Sequence, residues 1–408
     1  MSDDSPRPRR LRTLVFRGLL GLLAASAVVG AWACSPVYVI KAGIAEAKIL
    51  HARRPIPEVL GDPATDEATR GKLAYILEAR RFAADRMGVD PGDAYTMYTK
   101  LDRDTLALVV SAAEKDRLVP KTWWFPVVGR MPYKGYFDED DALEAQASLE
   151  EDGFDTYLRP TSAFSTLGWF NDPVLSTFLY SDEVEVVETV LHELSHRYLF
   201  VSGQVGFNES FATFVGRVAA IDFFCTREGS GPESVKCLRA QARWRDFQRF
   251  SVFVDGMVDD LQAIYEDATL TRDEKLVRRE EVFSASLARF DADVAPTFES
   301  FTFAGFRDTP LNNATLLARI RYYHRLPDFQ AYLDARGGDL KAALADLKSG
   351  VGTVDDPFDL LPSGAPPPPP SEPGPADPAT STPTADPATS TPTVDPATSA
   401  PTSDPSSP

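Results

Sequence analysis

Two histidines four residues apart, His192 and His196, frame the stretch His192-Glu193-Leu194-Ser195-His196. On a helix this spacing sets both imidazoles on one face, about a turn apart, which suits two positions of a tetrahedral Zn²⁺ site. Glu193 follows the first histidine, where a carboxylate can take a proton from a zinc-bound water. The chain has four histidines, and this motif holds two of them. The fold must therefore supply a helix with one stripe turned to the core and another to a metal. The surrounding sequence does so. Val184, Val187, Leu191, Leu194 and Tyr198 recur at helical spacing. Ser181 or Asp182 can cap the start, Glu183 and Glu185 suit the positive end of the helix dipole, and Gly203 is a C-terminal breaker.

The third ligand sets the subclass. A metzincin needs Gly three residues and His six residues after the second His; those positions hold Leu199 and Ser202, which excludes it. The gluzincin arrangement takes a glutamate from a following helix. Here a helix is expected to open at Asn208, with Glu209 in its first turn, after a connection of twelve residues. Ala212, Thr213 and Gly216 on that helix are small enough for close packing, which would bring the Glu209 carboxylate to the metal. Thr213 stands where an orienting Asp is usual, and its hydroxyl can orient a histidine more weakly. The rival reading, an ordinary amphipathic helix with two surface histidines, leaves the Asn-Glu helix unexplained.

The formal net charge of −18 argues against nucleic acid as a partner. The N-terminus reads as a targeting segment. Arg7, Arg9, Arg10, Arg12 and Arg17 precede a short apolar run, Leu19 to Val29, and then Ala31-Trp32-Ala33-Cys34. Cys34 suits bacterial lipoprotein processing; plain cleavage after Ala33 and an uncleaved anchor are the alternatives. Of three cysteines, Cys225 and Cys237 then remain. They bracket a Gly-Ser-Gly-Pro loop and read as a disulfide formed in an oxidising compartment, the alternative being two buried free thiols.

Along the chain, residues 1–33 are expected to be a signal peptide, 34–353 one domain and 354–408 a disordered tail. Helical patterns cover Ile40–Arg54, Glu67–Met87, Asp138–Glu151, Leu238–Glu266 and Arg272–Val294, with a further helix opening near Leu311-Asn312-Asn313. Tyr95–Leu101, Leu106–Ser111, Trp123–Val128 and Phe154–Leu158 read as strands. The fold class is α+β, mostly helical with a small mixed sheet, of zincin-like type. The Phe154–Leu158 strand or the Trp169 loop could bind extended substrate by edge pairing; equally, Trp169 and Phe170 could plug the core. Tyr322, Tyr323 or His324 could donate to an oxyanion, or form only an aromatic cluster. Glu188 could anchor a substrate ammonium, or be a solvated helix residue. The nine-residue repeat beginning Ala376-Asp377-Pro378 has too little apolar surface for a core.

These residues together resemble a family of bacterial lipoproteins described as zinc aminopeptidases. The resemblance rests on Cys34-Ser35-Pro36, Tyr133-Lys134-Gly135-Tyr136-Phe137-Asp138, Ser165 to Pro173, His192 to His196, Asn208-Glu209-Ser210-Phe211-Ala212 and Asn312-Asn313-Ala314. It implies one zinc per chain on His192, His196 and Glu209, with Glu193 catalytic, acting on a peptide substrate. It also implies attachment to the cell envelope through lipid on Cys34, facing the periplasm or exterior; a secreted soluble protein is the other possibility. An envelope endopeptidase and a non-catalytic lipoprotein with structural zinc are the alternative functions.

Overall fold

The computed structural model describes residues 36–102, 105–125, 129–161 and 173–369. The signal segment, Cys34, the Trp169 loop and the nine-residue repeat lie outside the described residues. The chain begins with helix α1 (Pro36–His51), strand β1 (Arg54–Pro55), α2 (Ile56–Gly61) and α3 (Glu67–Phe82). Then come β2 (Met97–Thr99), β3 (Ala107–Ala113), β4 (Trp123–Phe125), β5 (Gly129–Met131), β6 (Lys134–Tyr136), α4 (Glu139–Glu151), β7 (Asp155–Thr161) and β8 (Val174–Leu175). The rest is helical: α5 (Glu183–Tyr198), α6 (Val205–Thr226), α7 (Val235–Glu266), α8 (Arg272–Arg289), α9 (Ala304–Asp308), α10 (Asn313–Tyr323), α11 (Leu326–Asp334) and α12 (Leu340–Gly350). Among the described residues no helix is long and apolar enough to cross a membrane. The architecture is α+β, with helices predominating over small mixed sheets.

Local signals explain most helix starts. Asp182 accepts hydrogen bonds from Val184 N and Glu185 N, capping α5. Asp138 does the same for α4. Asn312 and Thr315 form a reciprocal capping box at α10. The start of α6 differs from expectation. The helix is expected to open at Asn208, but that residue lies inside it, and its side chain grips the preceding loop, donating to Val201 O and accepting from Val201 N, each at 2.8 Å. The helix therefore begins at Val205, and Glu209 is its fifth residue rather than a first-turn one.

Helix α6 runs through the centre. Phe207, Phe211, Phe214, Val215, Ala219, Phe223 and Phe224 are all buried, so apolar side chains surround most of it, as on an interior helix. It packs against α5, α7, α10 and α11. Gly216 governs the contact with α5. A Cβ there would stand 2.5 Å from Glu188 O and 3.0 Å from both N and Cβ of His192. Only glycine lets the two backbones come this close.

The main sheet has the order β6-β3-β7, antiparallel throughout, with Val109 opposite Arg159 and Ala113 opposite Asp155. One face (Val110, Ala112, Leu158) packs on Ala142 and Leu149 of α4. The other (Ala113, Tyr157) packs on Ala314 and Ala318 of α10. Among the described residues strand β7 has β3 on one side only, so its other side is a sheet edge.

The packed chain extends past residue 354. Residues Pro357–Leu360 form a 3₁₀ turn whose Phe358 is buried against Phe207 and His324. Ala365 N donates to Asp328, and Arg249 donates to the carbonyls of Pro368 and Pro369. The boundary expected at 354 thus falls inside the packed structure. Proline-rich composition concealed two apolar anchors, Phe358 and Leu361.

Candidate metal centre

Helix α5 carries His192 and His196 on one stripe, and α6 brings Glu209 to meet them. Nε2 of His192 is 3.3 Å and Nε2 of His196 3.6 Å from Oε2 of Glu209. One ligand atom from each residue lies within 4.8 Å of the others. The imidazole planes are nearly perpendicular, at 86°, with centroids 5.0 Å apart. Zinc bonds of about 2.0–2.1 Å at tetrahedral angles put neighbouring donors roughly 3.3–3.4 Å apart. Two nitrogens and one carboxylate oxygen at this spacing fit a divalent ion, with a fourth position left for water.

The charges agree with the geometry. Burial would raise the pKa of Glu209, but the two imidazoles outweigh it and hold the carboxyl far below the usual range. Burial would lower His196, but the Glu209 carboxylate outweighs that and raises it. A carboxylate held negative between two imidazoles is a donor set that a cation would hold together. Nδ1 of His196 is buried with no hydrogen-bond partner. The hydroxyl of Thr213 therefore does not orient His196.

Glu193 lies on the same helix turn, and its charge acts on both His196 and Tyr322. The three oxyanion candidates separate. Tyr322 stands at the centre, its ring 6.3 Å from that of His192, and burial followed by the Glu209 charge raises its pKa, keeping it a donor. Tyr323 points into the core among Phe247, Phe250 and Phe303 and cannot reach substrate. His324 lies past the end of α10, bonded to Asp255 at 2.6 Å and packed on Phe358. Ser210, next to Glu209, donates to Arg321 O and accepts from His324 N, which fixes the end of α10 against the ligand helix.

Glu188 is neither solvated nor free. It is buried and paired with Arg217 and Arg243. Cys225 and Cys237 are bonded to one another across the α6–α7 turn. Sequence reasoning missed Tyr133, Arg159 and Arg321. Burial, then the nearby Tyr322 and Glu209, raises the Tyr133 pKa, and the Arg321 guanidinium lies 5.1 Å above its ring. The Tyr133-Lys134-Gly135-Tyr136 stretch stood out in the sequence, but nothing local linked it to a metal site.

Residues 37–351 match the family model described as "Putative aminopeptidase". The chain belongs to this family. Membership supports a peptidase in general. No match was found among curated proteins or among solved structures.

Proposed function

We propose that the chain is a zinc-dependent peptidase of gluzincin type, with His192, His196 and Glu209 as ligands and Glu193 as general base. The observation that carries this reading is the pair of donor spacings at Glu209, 3.3 and 3.6 Å, which match the edges of a tetrahedral zinc site. The ion, when bound, supplies the Lewis acidity that polarises the scissile carbonyl and acidifies water. Glu193 accepts the proton of the attacking water on its carboxylate and returns it to the leaving amine. The Tyr322 phenol, kept protonated by its surroundings, donates to the carbonyl oxygen as it becomes an oxyanion. Family membership favours an exopeptidase acting from the amino terminus.

The N-terminal residues support attachment to the cell envelope through lipid on Cys34. The Cys34→Ala variant is expected to leave the membrane fraction.

The test of function is metal content and turnover together. Purified protein should hold about one zinc per chain and cut peptides from a mixed library. Glu193→Gln should keep the zinc and lose at least about a hundredfold in turnover. Full turnover in that variant, or cleavage unaffected by chelation, would remove the mechanism. If chelation unfolds the protein and no peptide is cut, the ion is a structural bolt instead.

A further inference from the structure

Residues Asp155, Tyr157 and Arg159 alternate along one face of β7, and α10 crosses that face. The contacts advance step by step along both elements. Asp155 accepts from Asn313 N, and Tyr157 packs on Ala314 and Ala318. One turn further on α10 come Arg321 and Tyr322; two residues further on β7 comes Arg159. This crossing places Arg159 at the end of α10 where Tyr322 faces His192. Arg321 enters the same region from α10, over the ring of Tyr133. The fields of both guanidiniums act on Tyr133 and Tyr322.

Their partners differ from those of four buried arginines. Arg217, Arg243, Arg249 and Arg279 each hold a buried carboxylate. Arg321 is 6 % exposed, its Nη1 is buried without a hydrogen-bond partner, and among the described residues no carboxylate pairs with it or with Arg159. A buried cationic donor left unpaired is costly, and a carboxylate is the group that satisfies a guanidinium best. Arg159 is only half-buried and also lines a cavity of about 640 Å³ along the β7 edge, bordered by Thr309, Pro310 and Asn312. Glu209, whose charge acts on the same two tyrosines, is already committed to the imidazoles, and Asp155 on the same strand face to Arg279.

We infer that Arg159 and Arg321 form a receptor for a carboxylate of the peptide substrate, next to the scissile bond. The substrates are then short peptides whose free α-carboxylate falls within reach of the centre, rather than long chains. This rests on reading the centre as a peptidase and adds the substrate class to it.

Binding separates the two ideas. Full-length zinc-loaded Glu193→Gln protein is titrated calorimetrically with trialanine, trialanine amide, and an amidated tripeptide carrying Asp. Trialanine is expected to bind at least about tenfold more tightly than its amide. Adding Arg159→Gln should erase that difference. Arg159 is partly exposed, so the variant should fold even if an Arg321→Gln protein does not. Arg321→Lys, which keeps the charge, should retain part of the difference. Equal binding of acid and amide, or a preference that survives Arg159→Gln, overturns the receptor. Tight binding of the Asp-containing amide keeps the receptor and assigns it a side-chain carboxylate. An acid preference in a chain whose parent cuts no peptide upholds the receptor while the hydrolase reading fails. A parent that cuts acids and amides equally well does the reverse.

Discussion

Gly216→Ala tests whether helix contact sets the metal geometry. Inside an exposed helix, Gly to Ala gains about 1 kcal/mol from propensity. Here the new methyl carbon would sit 2.5 Å from Glu188 O, about 0.9 Å inside the 3.4 Å of an ordinary contact, with two His192 atoms at 3.0 Å. The obstacle is backbone, so α5 and α6 must separate. Overpacking of this kind costs about 1–3 kcal/mol, which cancels or exceeds the propensity gain. The larger effect falls on the ligands. His192 is at the contact itself and Glu209 is two turns away on the moving helix, while a metal site tolerates ligand shifts of only about 0.2 Å. The expected result is a zinc affinity lowered by at least about tenfold, read by competition with a chelating dye, and a lower thermal midpoint. Gly206→Ala is the control: it lies on the same helix with nothing within 4 Å of its new Cβ, and should be neutral or stabilising. If Gly216→Ala is as stable as the parent and binds zinc equally well, close packing of α5 on α6 does not build the site.

Asn208→Ala leaves Val201 N and O without the partners that hold the α5–α6 loop; a loss of about 2 kcal/mol in denaturant melts is expected, with weaker zinc binding. A chain ending at Thr353 discards Phe358, buried against Phe207, and should lose about 3 kcal/mol or more, while one ending at Pro369 should melt like the full chain. In metal-free protein, His196 has its pKa raised and Glu209 has its pKa depressed. The His196 contribution is complete below the unfolded imidazole value of about 6.5 and is lost as pH rises through the raised value; that of Glu209 is complete above about 4.5 and is lost in acid. Metal-free stability should therefore fall as pH rises above about 6.5, and the gain on adding zinc should grow in the same direction; thermal melts with and without zinc would expose a flat profile.

Where the deciding signal is local, the sequence made the fold legible. The Val184–Tyr198 periodicity, the Asp182 cap, the helix opening near Asn312 and the two strands expected at Leu106–Ser111 and Phe154–Leu158 all depend on neighbours within a few residues. The meeting of His192, His196 and Glu209 was legible for the same reason: the three side chains fall within eighteen residues, on two helices joined by one loop. What escaped depends on long-range meetings. Tyr133, Arg159 and Arg321 come together only because β6-β3-β7 and α10 stack, which no window of sequence displays. The helix start at Asn208 was misplaced because an Asn ahead of an apolar run can equally lie inside the helix and bind a loop, and only the tertiary position of Val201 decides. Glu188 misled because helical periodicity cannot show that Arg217 and Arg243, far along the chain, are waiting for it.

That buried cluster bears on the metal as much as on stability. Glu188 is one turn before His192, and Arg217 follows Gly216, so ion pair and close contact occur at one place on the two helices. Arg243 reaches Glu188 from α7 at 3.1 Å and also approaches Glu185 and Asp182 at 3.7 and 3.8 Å. Two neighbouring helices, α6 and α7, thus fix the rotation of α5 about its axis, and with it the direction of His192. Removing Arg217 alone, as Arg217→Met, leaves Glu188 with a single buried partner and should cost about 3–5 kcal/mol. Replacing both, as Glu188→Leu with Arg217→Met, substitutes apolar packing for the pair and should recover most of that, since Arg243 keeps two other carboxylates. Zinc affinity should not recover with it, because apolar contact restores packing without restoring the rotational lock. A double variant that regains stability and metal affinity together would show the cluster to be a fold element only, and the orientation of His192 would then have to come from Gly216 and the core stripe of α5.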